Sequence, residues 1–153
     1  MQIGLISDTH NLIRPEALTA LQGVDQILHG GDVCQPHVLE ALREVAPVAA
    51  VRGNRDSGEW ADALPTELTL DFAGARIHMV HILKAMTADP AADGLHLVVS
   101  GHSHRAGMRE KQGVLYVNPG SAGPRRFSLP ITLARLTVDN GRLDVEFVDL
   151  LNP

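Results

Sequence analysis

The sequence predicts a layered α/β domain, and three observations carry that prediction. Up to residue 51, short apolar strands alternate with helical patterns, which implies a parallel sheet with right-handed crossovers. The rest of the chain changes to short apolar segments separated by turn residues, which read as hairpins and further strands. Side chains able to ligate a metal stand at the ends of five of these segments.

Residues 2–7 form a near-continuous apolar strand of the kind buried on both faces, and Asp8-Thr9-His10-Asn11 is the loop leaving it. Pro15 suits the first turn of a helix whose apolar side is spaced by Leu18 and Leu21, ending near residue 22. A second strand, Val24 to Leu28, runs into His29-Gly30-Gly31-Asp32. Pro36 opens another helix, with Val38, Leu39, Leu42 and Val45 at helical spacing. Val48 to Val51 is a third strand, stopped by Arg52-Gly53-Asn54-Arg55-Asp56. Trp60 to Pro65 reads as a connector. Leu68–Phe72 and Ile77–His81 flank Ala73-Gly74-Ala75 as a hairpin, and residues 82–94 read as a short helix and loop around Pro90. A strand at 95–100 leads to Gly101-His102-Ser103-His104. Strands near 106–110 and at 114–117 follow, joined by Gln112-Gly113. Asn118-Pro119-Gly120-Ser121 ends the second, and a Gly/Pro/Ser-rich loop over 119–130 carries Arg125 and Arg126. Strands at 131–138 and 143–150, around Asp139-Asn140-Gly141, close the chain.

At 153 residues the chain reads as one domain spanning 1–153, long enough to bury roughly two-thirds of its unfolded surface. Its net charge of −5 argues against a general nucleic-acid binder. A small phosphorylated ligand remains compatible, because a bound metal inverts the local field. The single cysteine, Cys34, excludes a disulfide framework and a Cys-rich zinc site. The first strand begins straight after Met1-Gln2 without a signal-like segment, and no apolar run approaches the roughly 20 residues that cross a bilayer. A cytoplasmic protein without a membrane partner is expected.

In open α/β sheets ligands bind beyond the carboxyl ends of the strands. Asp8, His10, Asp32, Asn54, His81, His102 and His104 all follow strand ends and can converge on one rim. This oxygen- and nitrogen-rich set lacks a thiolate and suits Mn²⁺, Fe or Zn²⁺ in a reactive site better than a structural zinc. Seven side chains exceed the needs of one ion but fit two ions sharing a carboxylate, an arrangement that clamps the oxygens of an in-line phosphoryl displacement.

The ordered series Asp8-x-His10, Gly31-Asp32, Gly53-Asn54, His81 and Gly101-His102-x-His104 resembles the calcineurin-like metallophosphoesterase superfamily. Asn118-Pro119-Gly120-Ser121 and the terminal hairpin resemble its small bacterial and archaeal phosphodiesterase branch, related to a retromer subunit. The resemblance covers essentially the whole chain. It implies a four-layer α/β/β/α sandwich of two mixed sheets. It places Asp8, His10, Asp32 and His104 around one divalent ion, with Asp32 bridging to a second ion held by Asn54, His81 and His102. Manganese is the first expectation for both, ahead of Fe, Zn or Ni. The implied activity is hydrolysis of a small phosphate ester, a diester before a monoester, by a hydroxide bridging the two ions. Similar proteins are often dimers or tetramers, so a homo-oligomer is an expectation from the resemblance alone.

Two residues depart from the family pattern. Where larger members have His after the Gly-Asn pair, and small ones often Cys, this chain has Arg55. Its guanidinium stays protonated, which makes it a poor general acid and a good partner for phosphate oxygens. Asn54 and Arg55 are therefore the expected substrate contacts, with Asp32 and Asn54 at the chemistry. Ile82 stands where the family usually has Gly, and is expected to narrow the site or re-aim the following loop. The remaining histidines read as structural: His37, His78 and His96 outright, His29 beside the site at most. Cys34 reads as a small packing residue, and Arg125 and Arg126 as a solvated loop. The competing class is a catalytically silent interaction module that keeps the fold, as in the retromer relative, where metal ligands are partly lost; none is missing here. A dinucleotide-binding reading fails because Asp8 stands where Gly-x-Gly-x-x-Gly would be.

Overall fold

The computed structural model describes residues 1–152. Two five-stranded mixed sheets pack face to face. The first has the order β10-β9-β1-β2-β3, built from β1 (Gln2–Ile6), β2 (Gln26–His29), β3 (Val48–Ala50), β9 (Thr132–Asp139) and β10 (Arg142–Asp149). In it β1, β2 and β3 run parallel and β9 returns antiparallel to β1. The second has the order β4-β5-β6-β8-β7, from β4 (Glu67–Phe72), β5 (Ala75–Val80), β6 (Leu97–Val99), β7 (Gly107–Lys111) and β8 (Val114–Asn118). Its central strands β5, β6 and β8 are parallel, flanked by antiparallel edges.

The alternation of β1 explains its apolar run. Ile3 and Leu5 enter the inter-sheet core with Leu28, Met79, Leu97 and Leu136, while Ile6 faces the other way, toward the helices. There α1 (Pro15–Ala20) and α2 (Pro36–Arg43) cover the first sheet with Ala17, Val38, Leu39 and Leu42. The layer over the second sheet is much thinner. A 3₁₀ turn, Leu83–Ala85, and the loop after it shield Val80, Leu95, Val98 and Val114.

Three hairpins use two-residue turns with both residues at positive φ: Ala73-Gly74, Gln112-Gly113 and Asn140-Gly141. This geometry matches the right-handed strand twist and favours glycine second. The predicted connector at 60–65 contains a short helix, α3 (Glu59–Asp62), whose single turn is below the length at which helical periodicity can be read. The second strand begins later than Val24, because Val24 N–H closes the turn after α1 onto Leu21 O. Of the histidines read as structural, His78 is buried, whereas His37 and His96 are exposed.

Glu67 ties the loop after β5 to the edge of the second sheet. Its carboxylate accepts bonds from Thr87 N–H and Thr87 Oγ1 and lies 2.8 Å from His78 Nε2. Burial would raise its pKa, but the Thr87 and His78 bonds prevail and hold it at about 2, against 4.5. A depressed carboxylate contributes stability above its unfolded pKa and loses it as pH falls through the folded one. Glu67→Gln should therefore cost about 1–2 kcal/mol in urea unfolding at pH 7, discounted for partial exposure. The gap to the parent chain should narrow from about pH 4.5 downward, more than half gone by about pH 3.

Candidate metal centre

The site is built from strand ends that keep pairing after the strands have ended. Beyond β1 and β2, Asp8 N–H bonds Gly31 O, His10 N–H bonds Asp32 O and Asn11 N–H bonds Val33 O. The two ligand-bearing loops are thus one continued ladder. Within it Asp8, His10 and Asp32 take φ of 56°, 43° and 57°, and on the other sheet His102 and His104 take 73° and 63°. A non-glycine residue in this region costs of order 1 kcal/mol, and such residues cluster at functional sites. Here the kinks turn five side chains out of the strand alternation.

All seven expected ligands are brought to this rim. Asp8, His10 and His104 form one group and Asp32, His81 and His102 another, the ligating atoms of each within 4.8 Å of one another. Asp8 Oδ2 is satisfied by Ser7 Oγ at 2.7 Å and His102 N–H at 3.0 Å. Its Oδ1 has no partner, although His104, His10 and His81 each bring Nε2 to within 3.8 Å. Asp32 Oδ2 stands between the groups, 3.1 Å from His81 Nε2 and 3.7 Å from His10 Nε2. Asn54 is exposed, with Oδ1 3.2 Å from His102 Nδ1. Arg55 is exposed too, and its backbone N–H donates to Asp32 Oδ1 at 2.8 Å.

The donor set fits metal. Asp8 Oδ1 and His81 Nε2 are buried without hydrogen-bond partners, a costly arrangement unless a cation satisfies them. His10 Nε2 and His104 Nε2 lie 3.2 Å apart, whereas two nitrogens about 2.1 Å from a common ion are separated by about 3.0–3.4 Å. His81 Nδ1 donates to Gly30 O at 2.7 Å, which leaves Nε2, on the Asp32 side, as the nitrogen able to ligate. Burial works to raise both carboxylates, but the imidazoles around them, with Ser7 at Asp8 and the Arg55 N–H at Asp32, hold both below the ordinary range. Burial alone would lower His81; Asp32 and Asp8 reverse that and raise it.

The groups beneath the rim were less visible in the sequence. Asp56, passed over as a loop residue, is 3 % exposed and accepts N–H bonds from Asp32, Gly53 and Cys34 at 3.0, 2.8 and 2.8 Å. It fastens the loop after β3 to that after β2. Its signal was its place after the Gly-Asn pair, in the same turn. His29 is wholly buried: Nδ1 accepts Gly31 N–H, leaving Nε2–H for Thr9 Oγ1 at 3.0 Å. Burial lowers its pKa to about 4, so it is neutral at ordinary pH and joins the Asp8 and Asp32 loops from below. Cys34 lies outside the packed core, its Sγ 3.6 Å from His10 Nδ1, and burial with the Asp56 and Asp32 carboxylates raises its thiol to about 11.

Two sheets with paired His/carboxylate groups at converging strand ends define a metal-binding hydrolase scaffold. The chain belongs to the calcineurin-like phosphoesterase superfamily, whose domain profile matches residues 1–141. It is 32% identical to a probable metallophosphoesterase of Methanothermobacter thermautotrophicus, covering 97% of this chain and 92% of that protein. It is 26% identical to a phosphodiesterase of Methanocaldococcus jannaschii, covering 78% and 83%. In fold it matches Chaetomium thermophilum Vps29 with a TM-score of 0.80 at 22% identity, over 97% of each chain. The family and the two-sheet α/β fold expected from the motifs are those found. No helix among the described residues is long and apolar enough to cross a membrane.

Replacing Asp56 with Asn removes one of two acceptor oxygens serving three N–H donors, two of them buried. Asp56→Asn should lower stability by about 1–3 kcal/mol and weaken divalent-metal binding about tenfold or more, read by urea unfolding and by equilibrium dialysis with Mn²⁺ as the probe. Unchanged metal affinity in a folded variant would mean Asp56 does not set the Asp32 geometry.

Proposed function

We propose that this protein is a phosphodiesterase that uses two divalent ions, manganese the first choice, for in-line displacement at phosphorus. The observation that carries the reading is Asp32 Oδ2 standing between the two ligand groups, as a bridging carboxylate requires. Asp8, His10 and His104 would hold one ion and His81, His102 and Asn54 the other, with Asp32 serving both. When bound, such ions polarise the phosphoryl oxygens and lower the pKa of an attacking water.

The chain's own residues supply position and charge. Ser7 and the His102 N–H fix Asp8 through Oδ2 and leave Oδ1 directed at the imidazoles. The bond from Arg55 N–H to Asp32 Oδ1 plants Arg55 beside the bridging carboxylate, where its exposed guanidinium is free to grip phosphate oxygens. Arg55 cannot protonate the leaving oxygen at ordinary pH, so the leaving group would depart with metal or water assistance. A diester rather than a monoester is supported by the likeness to the Methanocaldococcus enzyme. A small substrate is supported by the absence of an inserted cap: the longest segment between the strands of the second sheet carries one 3₁₀ turn.

The test is hydrolysis of bis(p-nitrophenyl) phosphate beside p-nitrophenyl phosphate, metal-stripped and with Mn²⁺ restored. Metal-dependent turnover of the diester is expected. A folded protein inert with every first-row ion would transfer the assignment to an interaction module. Asp32→Asn should abolish turnover and release metal; retention of both would overturn the bridging role. Arg55→Ala should raise KM for the diester about tenfold, the loss of one charge-assisted contact, with a smaller change in kcat. Unchanged KM and kcat would remove Arg55 from the substrate site.

A further inference from the structure

A groove of about 550 Å³ begins at the Gly101-His102-Ser103 loop and runs over the outer face of β8 and β7. It exists because the layer over the second sheet is so thin: the 3₁₀ turn covers one end of that face and nothing covers the other. Its size is that of a small-molecule site. Apolar wall is supplied by Ile82, Leu83 and the Tyr116 ring. The residue at 82 that departs from the family's glycine is thus a wall of this groove, beside the centre.

Its charge is one-sided. Lys84, Arg105 and Arg109 line it, no Asp or Glu does, and none of the three cations is in an ion pair among the described residues. That is a local inversion in a chain of net charge −5. Arg109 sits with its guanidinium carbon 5.7 Å from the Tyr116 ring centroid, a cation–π arrangement that holds a flat cationic surface over the wall. Apolar wall, aromatic ring and unpaired cations together match a flat ring bearing further negative charge.

We propose, resting on the phosphoesterase reading above, that this groove receives the nucleoside arm of a nucleotide phosphodiester. The ester phosphate is at the metal centre, the ring lies against Ile82, Leu83 and Tyr116, and any further phosphate meets Lys84, Arg105 or Arg109. The overall acidity of the chain favours a small nucleotide over a nucleic-acid polymer.

The test compares two esters with one leaving group, p-nitrophenyl thymidine 5′-phosphate and methyl p-nitrophenyl phosphate, on the Mn²⁺-loaded chain. The ratio of kcat/KM should favour the nucleoside ester about tenfold or more, and fall toward one in Tyr116→Ala/Arg109→Gln, because stacking and the cation are lost together. A ratio near one in the parent chain, or a preference that survives the double substitution, would overturn the groove assignment while leaving the enzyme standing. If neither ester is hydrolysed with any metal, the phosphoesterase reading fails, and calorimetric titration of adenosine 3′,5′-bisphosphate decides the groove separately. Binding that weakens about tenfold in Lys84→Gln/Arg109→Gln supports it; no binding, or equal affinity in both proteins, overturns it.

Discussion

Everything at this rim depends on keeping two carboxylates, Asp8 and Asp32, charged and buried within a few ångströms of the same imidazoles. Asp8 is wholly buried and Asp32 nearly so. Two such charges repel, and each loses hydration worth several kcal/mol. The protein offsets part of this with donors it can fix: Ser7 Oγ and the His102 N–H on Asp8, the Arg55 N–H on Asp32. The imidazoles supply more, and both carboxylates stay below their ordinary pKa. What remains is Asp8 Oδ1 with no partner, facing three nitrogens that do not align with it as donors. That residue of unmet electrostatics is what a divalent cation resolves.

Holding the carboxylates in this state requires backbone that neither sheet would adopt unaided. The strain of the three left-handed ligand residues on the first sheet, Asp8, His10 and Asp32, is carried by bonds made just below them. The continued ladder from Asp8 to Asn11 locks one side, and Asp56 and His29 lock the other. Asp56 is economical in this role, since one carboxylate satisfies N–H groups from Asp32, Gly53 and Cys34 and spans two loops. Glycine serves where a side chain would collide: a Cβ at Gly101 would overlap Ser7 Oγ and Asp8, and one at Gly53 would overlap Asp32.

How much of this was legible in the sequence follows from which forces are local. The strands, the Pro-started helices and the hairpin turns each rest on a handful of adjacent residues, and they were found within a few positions. Asp8, His10, Asp32, Asn54, His81, His102 and His104 could be gathered because each follows a strand, and parallel strands deliver their carboxyl ends to one edge. Their mutual distances had no such signature. Asp56 and His29 were not distinguishable as anchors, because their partners are backbone N–H groups and a threonine whose approach only the tertiary ladder creates. The left-handed kinks were likewise invisible: Asp and His are both enriched in that region, but the enrichment singles out no particular position. The thin layer over the second sheet is a fact about what residues 82–94 do not form, and its consequence, an open groove, is legible only in three dimensions.

The distribution of charge completes the argument. Acidic residues outnumber basic ones, 18 to 13, and the two at the centre of the site are buried. Cations follow the ligands along the chain instead: Arg55 after Asn54, Arg105 after His104, and Arg126 close enough to add to the depression of the His10 imidazole that burial begins. With Lys84 and Arg109 on the groove, the accessible surface near the centre is basic although the molecule as a whole is acidic. Such a field draws small anions to the rim while the remainder of the surface repels extended polyanions. On the proposed reading, Arg55 fits the same distribution: it would supply fixed charge to phosphate oxygens in place of an acid that must titrate.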